Sequence, residues 1–252
     1  MLRRRIIPFL LIDENNDCIK TINFKDRKYI GDILNNIRIF NEKNVDEIVV
    51  LDIDASLNSY KPRFDLLKNI ASVCRMPITY GGGVTDLEMS KKIINLGIEK
   101  ICLNTAAIIK PDLIKQISQE IGSQSLSVSI NFRKINNEYH LVNNQGEKIK
   151  KNIYDFIQEI QKFGVGEIIF NSYNDDGKMS GYDLNFLKDA LKNISVPSII
   201  VGGCSNYEDI KKLFINYQNV AAGCSSIFIF KGKLKAVLIS YPSEEDKKNI
   251  IV

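Results

Sequence analysis

The sequence predicts a single (β/α)8 barrel of the α/β class, and three observations predict it. Short β-branched runs alternate with stretches of helical period along the whole chain, eight such runs can be counted, and landmark residues recur at one constant offset. The length agrees, since 252 residues is what one complete parallel barrel needs. One domain over residues 1–252 is expected, made of half-barrels at about 1–120 and 121–252.

The strands are expected at Ile6 to Ile12, Glu47 to Asp52, Pro77 to Tyr80, Lys100 to Leu103, Leu126 to Ile130, Glu167 to Asn171, Ser198 to Val201 and, with a weaker pattern, Asn219 to Gly223. The first could be taken for a signal peptide, but its apolar stretch is short, broken by Pro8 and followed by acids with no cleavage site. Amphipathic helices are expected between strands at Asp86 to Leu96, Pro111 to Ile121, Ile153 to Phe163, Tyr182 to Asn193 and Tyr207 to Tyr217. The offset is 120 positions: Glu47-Ile48-Val49-Val50 answers to Glu167-Ile168-Ile169-Phe170, Gly82-Gly83 to Gly202-Gly203, and Leu11 to Asn131. Each half is then expected to carry an equivalent phosphate site.

Composition excludes several classes. Hydrophobic residues at 44% and charged residues at 25% are average for globular chains, and no apolar run approaches the roughly 18 residues that span a bilayer. A soluble, cytoplasmic protein is expected. Five scattered cysteines without a CxxC pair argue against a disulfide framework or a structural zinc site. The net charge of +4 is too small and dispersed to imply nucleic acid. It suits a phosphorylated small molecule, and solvated helix faces explain it equally well. No residue set suggests a metal or another cofactor.

Candidate sites follow from chemistry. Gly81-Gly82-Gly83 and Gly202-Gly203 each follow a strand and precede a helix, placing bare backbone N–H groups at the barrel's C-terminal face. Asn104-Thr105 and Ser225-Ser226 end the next strands and can complete an anion cradle, and the polar loop through Asp176-Gly177 can close over one. Tight βα turns also use glycine for steric reasons alone. His140, the only histidine, falls in a surface hairpin over 136–145. Asp52 either orients Lys20 or Lys100 or caps a turn.

Arg4-Arg5-Ile6-Ile7, Leu51-Asp52-Ile53, Gly81-Gly82-Gly83-Val84, Leu103-Asn104-Thr105-Ala106-Ala107, Ile121-Gly122-Ser123-Gln124 and Ser180-Gly181-Tyr182-Asp183 resemble the cyclase subunit of imidazole glycerol phosphate synthase, over nearly the whole chain. The resemblance implies a lyase of histidine biosynthesis, an amino-acid biosynthesis route, working as a heterodimer with a glutaminase subunit. That glutaminase docks on the N-terminal face, and its ammonia travels through the barrel to a bisphosphorylated ribonucleotide. It further implies an ammonia gate at Arg5, Glu47, Lys100 and Glu167, all present here. A plain salt-bridge plug of the barrel floor is the other reading of those four.

The chain departs from the family where the chemistry sits. The family places a general acid and base at the ends of the first and fifth strands, and this chain has Leu11 and Asn131 there. Leucine exchanges no proton, and asparagine has no titratable one near neutral pH. Losing one positioned acid or base costs about 10²–10⁴ in rate. Asp13, in a flexible loop two positions beyond Leu11, is a candidate substitute, and Lys20 is retained to contact a phosphate or leaving group. The departure resembles paralogues beside surface-polysaccharide and amidino-sugar genes that hand ammonia to a separate sugar amidotransferase. A histidine-pathway cyclase with an altered site, and a scaffold that only activates the glutaminase, remain as alternatives. The related sugar isomerase of the same pathway uses aspartates at the same two positions, so Leu11 and Asn131 count against it as well.

Overall fold

The computed structural model describes residues 4–22, 25–58, 60–232 and 234–251. Eight strands, β1 (Ile6–Ile12), β2 (Ile48–Asp52), β3 (Ile78–Gly81), β4 (Lys100–Leu103), β5 (Leu126–Ile135), β6 (Glu167–Ser172), β7 (Ser198–Val201) and β8 (Val220–Cys224), pair parallel in chain order. The sheet closes where β8 returns to β1 at Ile6 opposite Ala222. With helices between the strands, this is the (β/α)8 barrel that the alternation predicts.

The period of two along each strand sorts the core into two sets. Outward residues such as Ile6, Ile48, Val50, Ile101, Ile168 and Phe170 join one large cluster beneath the helices. Inward residues Ile7, Phe9, Val49, Cys102, Ile169, Ile199, Val201 and Ala221 form a second cluster inside the barrel. The helices begin where sequence supplies a cap: Asp86 accepts from Met89 N before Leu87–Asn95, Asn152 from Tyr154 N before Ile153–Lys162, and Asn206 from Asp209 N before Tyr207–Asn216. Helix Asp112–Glu120 also lies where expected. The expected helix at Tyr182 instead starts at Leu184, because Asp183 caps it through Phe186 N, and its last turn tightens to a 3-10 helix over Leu191–Asn193. Helices Ile33–Glu42, Phe64–Val73 and Glu244–Ile250 complete the outer layer.

Two hairpins extend the sheet on the C-terminal side. Asp17–Lys20 and Lys28–Asp32 form an antiparallel hairpin on β1, so the segment after β1 is not the loose loop expected there: Asp13 N bonds Asp17 O at 3.1 Å and closes a tight turn. β5 runs five residues past its expected end because Glu138–Leu141 pairs back on it, with His140 opposite Arg133. At the opposite end, Tyr241 donates to Ile6 O (2.7 Å) and Lys247 pairs with Asp46 (3.3 Å), tying the last helix beside the barrel floor. No helix among the described residues is long and apolar enough to cross a membrane.

Candidate functional site: an ionic floor and a mouth cavity

The floor is a closed ring of two acids and two bases. Arg5 pairs with Glu47 (2.5 Å) and with Glu167, and Lys100 pairs with Glu47 (2.9 Å) and Glu167 (3.1 Å). Thr79 and Ser127 donate their hydroxyls to Glu47 (3.1 Å) and Glu167 (3.5 Å), so every carboxylate oxygen has a partner. The two glutamates are buried, which costs several kcal/mol per ion unless paired. Burial opposes the charge on Arg5, and the two glutamates override it, raising the guanidinium above its usual value.

Above the ring, Ile7, Val49, Ile199 and Ala221 of β1, β2, β7 and β8 pack as a buried apolar layer on one side of the lumen. A cavity of about 810 Å³ opens above that layer at the C-terminal mouth, with Cys102 and Ile169 among its walls. Burial pushes the Cys102 thiol up to about 12, so it is an inert wall at neutral pH. This placement, at the C-terminal ends of the strands, is where barrel enzymes keep their sites.

Leu11 and Asn131 both line the cavity. Asn131 sits in a chain of amides: its side-chain nitrogen donates to Asn144 Oδ1 (2.9 Å), and its oxygen accepts from Asn171 (3.2 Å). Asn104 closes the same wall by donating to Ser129 O (2.8 Å). Leu11, Phe9, Leu51 and Val201 add apolar surface to the same cavity. Asp13 does not reach the cavity wall. Its carboxylate accepts from Asn15 N (2.9 Å) and Asp17 N (3.0 Å) and is held within its own turn. Lys20 does line the cavity, and burial pulls its ammonium below the usual lysine value, with Asp176 opposing.

Asp52 caps the short helix Ile53–Leu57 through Ala55 N (3.0 Å) and receives Arg63 in two bonds and Tyr60 in one, so it orients neither Lys20 nor Lys100. Burial pushes its carboxyl up against the pull of Arg63. Arg63 also bonds Asp13 O (2.7 Å), Glu14 O (2.9 Å) and Asn16 Oδ1 (2.6 Å), clamping the turn after β1. No motif marks Arg63, Asn171 or Asn144 in the sequence, and each was missed. His140 lies on the outer hairpin, 3.6 Å from Glu138.

The two glycine turns differ. Gly82, Gly83, Asn104 and Thr105 line the cavity, whereas of the second set only Asp176 and Ser225 do so among the described residues; Gly177, Gly202, Gly203 and Ser226 lie outside its wall. Steric need alone accounts for glycine at Gly82, because a Cβ there would stand 2.4 Å from Asp52 O. Among the described residues no cluster of His, Cys, Asp and Glu is arranged to hold a metal ion.

A closed parallel barrel with an ionic floor, an apolar lumen and a mouth cavity defines the class: a single-domain barrel protein with its site among the βα loops. The chain belongs to the histidine biosynthesis protein family, whose model matches residues 5–235, and within it to the cyclase subunits of imidazole glycerol phosphate synthase. A Pseudomonas aeruginosa protein provisionally named imidazole glycerol phosphate synthase subunit hisF2 is 43% identical over 244 residues, covering 96% of this chain and 97% of its own. A Vibrio vulnificus protein provisionally named subunit hisF3 of that synthase is 41% identical over 254 residues, covering 100% and 97%. The imidazole glycerol phosphate synthase subunit HisF of Prosthecochloris aestuarii is 35% identical over 232 residues, covering 92% of each.

Proposed function

We propose that this chain is the synthase-side subunit of a glutamine-dependent ammonia-transfer complex, in which a glutaminase on the N-terminal face delivers ammonia through the barrel. The observation that carries this reading is the closed ring of Arg5, Glu47, Lys100 and Glu167 beneath an apolar layer. A salt-bridged ring excludes bulk water while closed. Lys100 is its most displaceable member, a single flexible ammonium against the forked Arg5. The apolar layer would pass neutral ammonia and reject ammonium, because an unpaired ion in such surroundings is costly.

At the mouth, Leu11 and Asn131 supply neither acid nor base, which supports a paralogue that feeds ammonia to a separate sugar amidotransferase for surface-sugar amidation rather than an intrinsic cyclase. The numbered names hisF2 and hisF3 of the Pseudomonas and Vibrio relatives fit that role. The relatives named without qualification favour a histidine-pathway cyclase with a modified site, in which Lys20 or Asp52 would have to move the protons. The apolar packing inside the lumen on β1, β2, β7 and β8 favours a third reading, a scaffold that activates the glutaminase and moves nothing. Lys100→Ala separates relay from scaffold. Relay predicts that glutamine hydrolysis by the purified pair continues while amidation in cells falls at least tenfold; amidation at the wild-type level sinks the relay.

A further inference from the structure

The cysteines are scattered along the chain, and the fold brings two of their sulfurs into contact. β7 and β8 pair with Ser198 opposite Val220 and Ile200 opposite Ala222, and that register carried two residues further sets Gly202 beside Cys224. Gly202 and Gly203 then take φ of 94° and 95°, a region that favours glycine, and turn the chain at the end of β7. The turn leaves the Cys204 sulfur 3.4 Å from that of Cys224. A disulfide needs about 2.05 Å, so the two sulfurs have roughly 1.4 Å to close, a distance that side-chain rotation covers.

The neighbouring groups tolerate the loss of both thiol hydrogens. Tyr182 donates its one hydroxyl hydrogen to Gly223 O at 3.1 Å, so toward the Cys224 sulfur at 3.2 Å its oxygen accepts. Cys224 also donates to Cys204, and Cys204 reaches Asn206 O at 3.7 Å, a weak contact. Removing the two hydrogens strands no buried donor and breaks no strong hydrogen bond. Burial raises the Cys224 thiol well above its usual value, so it resolves a bond rather than starting one. Cys204, 6% exposed against 1% for Cys224, is the sulfur that a small oxidant meets first. Cys74 and Cys102 are engaged elsewhere, with Met76 O at 3.3 Å and Leu103 O at 3.9 Å.

We infer that Cys204 and Cys224 form a reversible oxidation site, closed to a disulfide by hydrogen peroxide and reopened by a small thiol. The Cys204 thiol takes one oxygen from the peroxide, giving a sulfenic acid and one water. The Cys224 sulfur then attacks the sulfenic sulfur, the S–S bond forms, and the hydroxyl leaves with the Cys224 proton as a second water. The two thiols lose two hydrogens and two electrons, and the peroxide takes up both. The bridge would tie the turn after β7 to the end of β8, where Val201 and Ser225 belong to the cavity wall. It is independent of ammonia transfer, and its test needs no glutaminase.

The test treats the full chain with hydrogen peroxide under native conditions, then alkylates free thiols and maps the peptides. A cross-linked pair carrying Cys204 and Cys224 is expected, lighter by two hydrogens, absent in Cys204→Ser and in Cys224→Ser, and returned to two alkylated thiols by dithiothreitol. The half-buried Cys74 is the internal reference for unspecific oxidation. In glutathione buffers the folded chain is expected to hold the bridge at least about tenfold more firmly than the chain in urea, because native packing already brings the sulfurs together. Oxidation of Cys74 that leaves Cys204 and Cys224 open to alkylation, or a bridge held no more firmly by the folded chain than in urea, overturns the inference.

Discussion

Gly82-Gly83 and Gly202-Gly203 stand 120 positions apart at the ends of β3 and β7, and the same pair serves two ends. In the first half the turn lines the mouth cavity; in the second it lies outside the cavity wall, with Gly181 donating to Gly203 O across it. The floor shows the reverse. Glu47 and Glu167, at the same spacing, have matching roles in one ring, each bonded to Arg5, to Lys100 and to a hydroxyl. Symmetry is kept where the halves must meet around a central axis and lost where loops differ in path and charge.

The largest expected effect that probes this asymmetry is steric. Gly203→Ala should cost about 3 kcal/mol and Gly82→Ala about 2, since both put a Cβ into backbone at positive φ and the second turn is the tighter. Urea midpoints check the order, and a reversed order would break the comparison. Next, Arg63→Ala should cost about 2 kcal/mol, because it leaves the buried Asp52 carboxylate without its ion partner and frees the turn after β1. Faster amide exchange over 13–17 without change in the second half would sharpen the contrast.

The smallest effect is a pH dependence. Hydrogen bonding from Arg27 holds the Asp54 carboxyl below its usual range. A depressed carboxyl stabilises the fold above its unfolded value of about 3.9, and the contribution is lost as pH falls through the lower folded value. Arg27 is 40% exposed, so under about 1 kcal/mol is expected. Arg27→Gln should remove that acid-side dependence, as read by unfolding between pH 5 and 2.

The strands were legible because each is a short β-branched run between polar segments, and the observed ends differ by about one residue except in β5. The four floor positions came from the family resemblance, and charge at the starts of buried strands agrees with it. What the sequence concealed was partnership across distance. Nothing local marks Arg63 as the clamp for Asp13 to Asn16, a contact 47 to 50 positions away. The Asp13 carboxylate looked available because its engagement with Asn15 and Asp17 depends on the turn closing tightly. The different surroundings of the second turn were equally hidden, because glycine pairs of the same spelling meet the cavity or not according to the loop laid beside them.

We propose that a barrel with this floor and with Leu11 and Asn131 at its mouth carries ammonia but performs no cyclisation. It is tested most directly by mixing the purified chain with saturating ammonium and the bisphosphorylated ribonucleotide, following absorbance beside a working cyclase. The account predicts no conversion above the uncatalysed rate; conversion comparable to that control would contradict it.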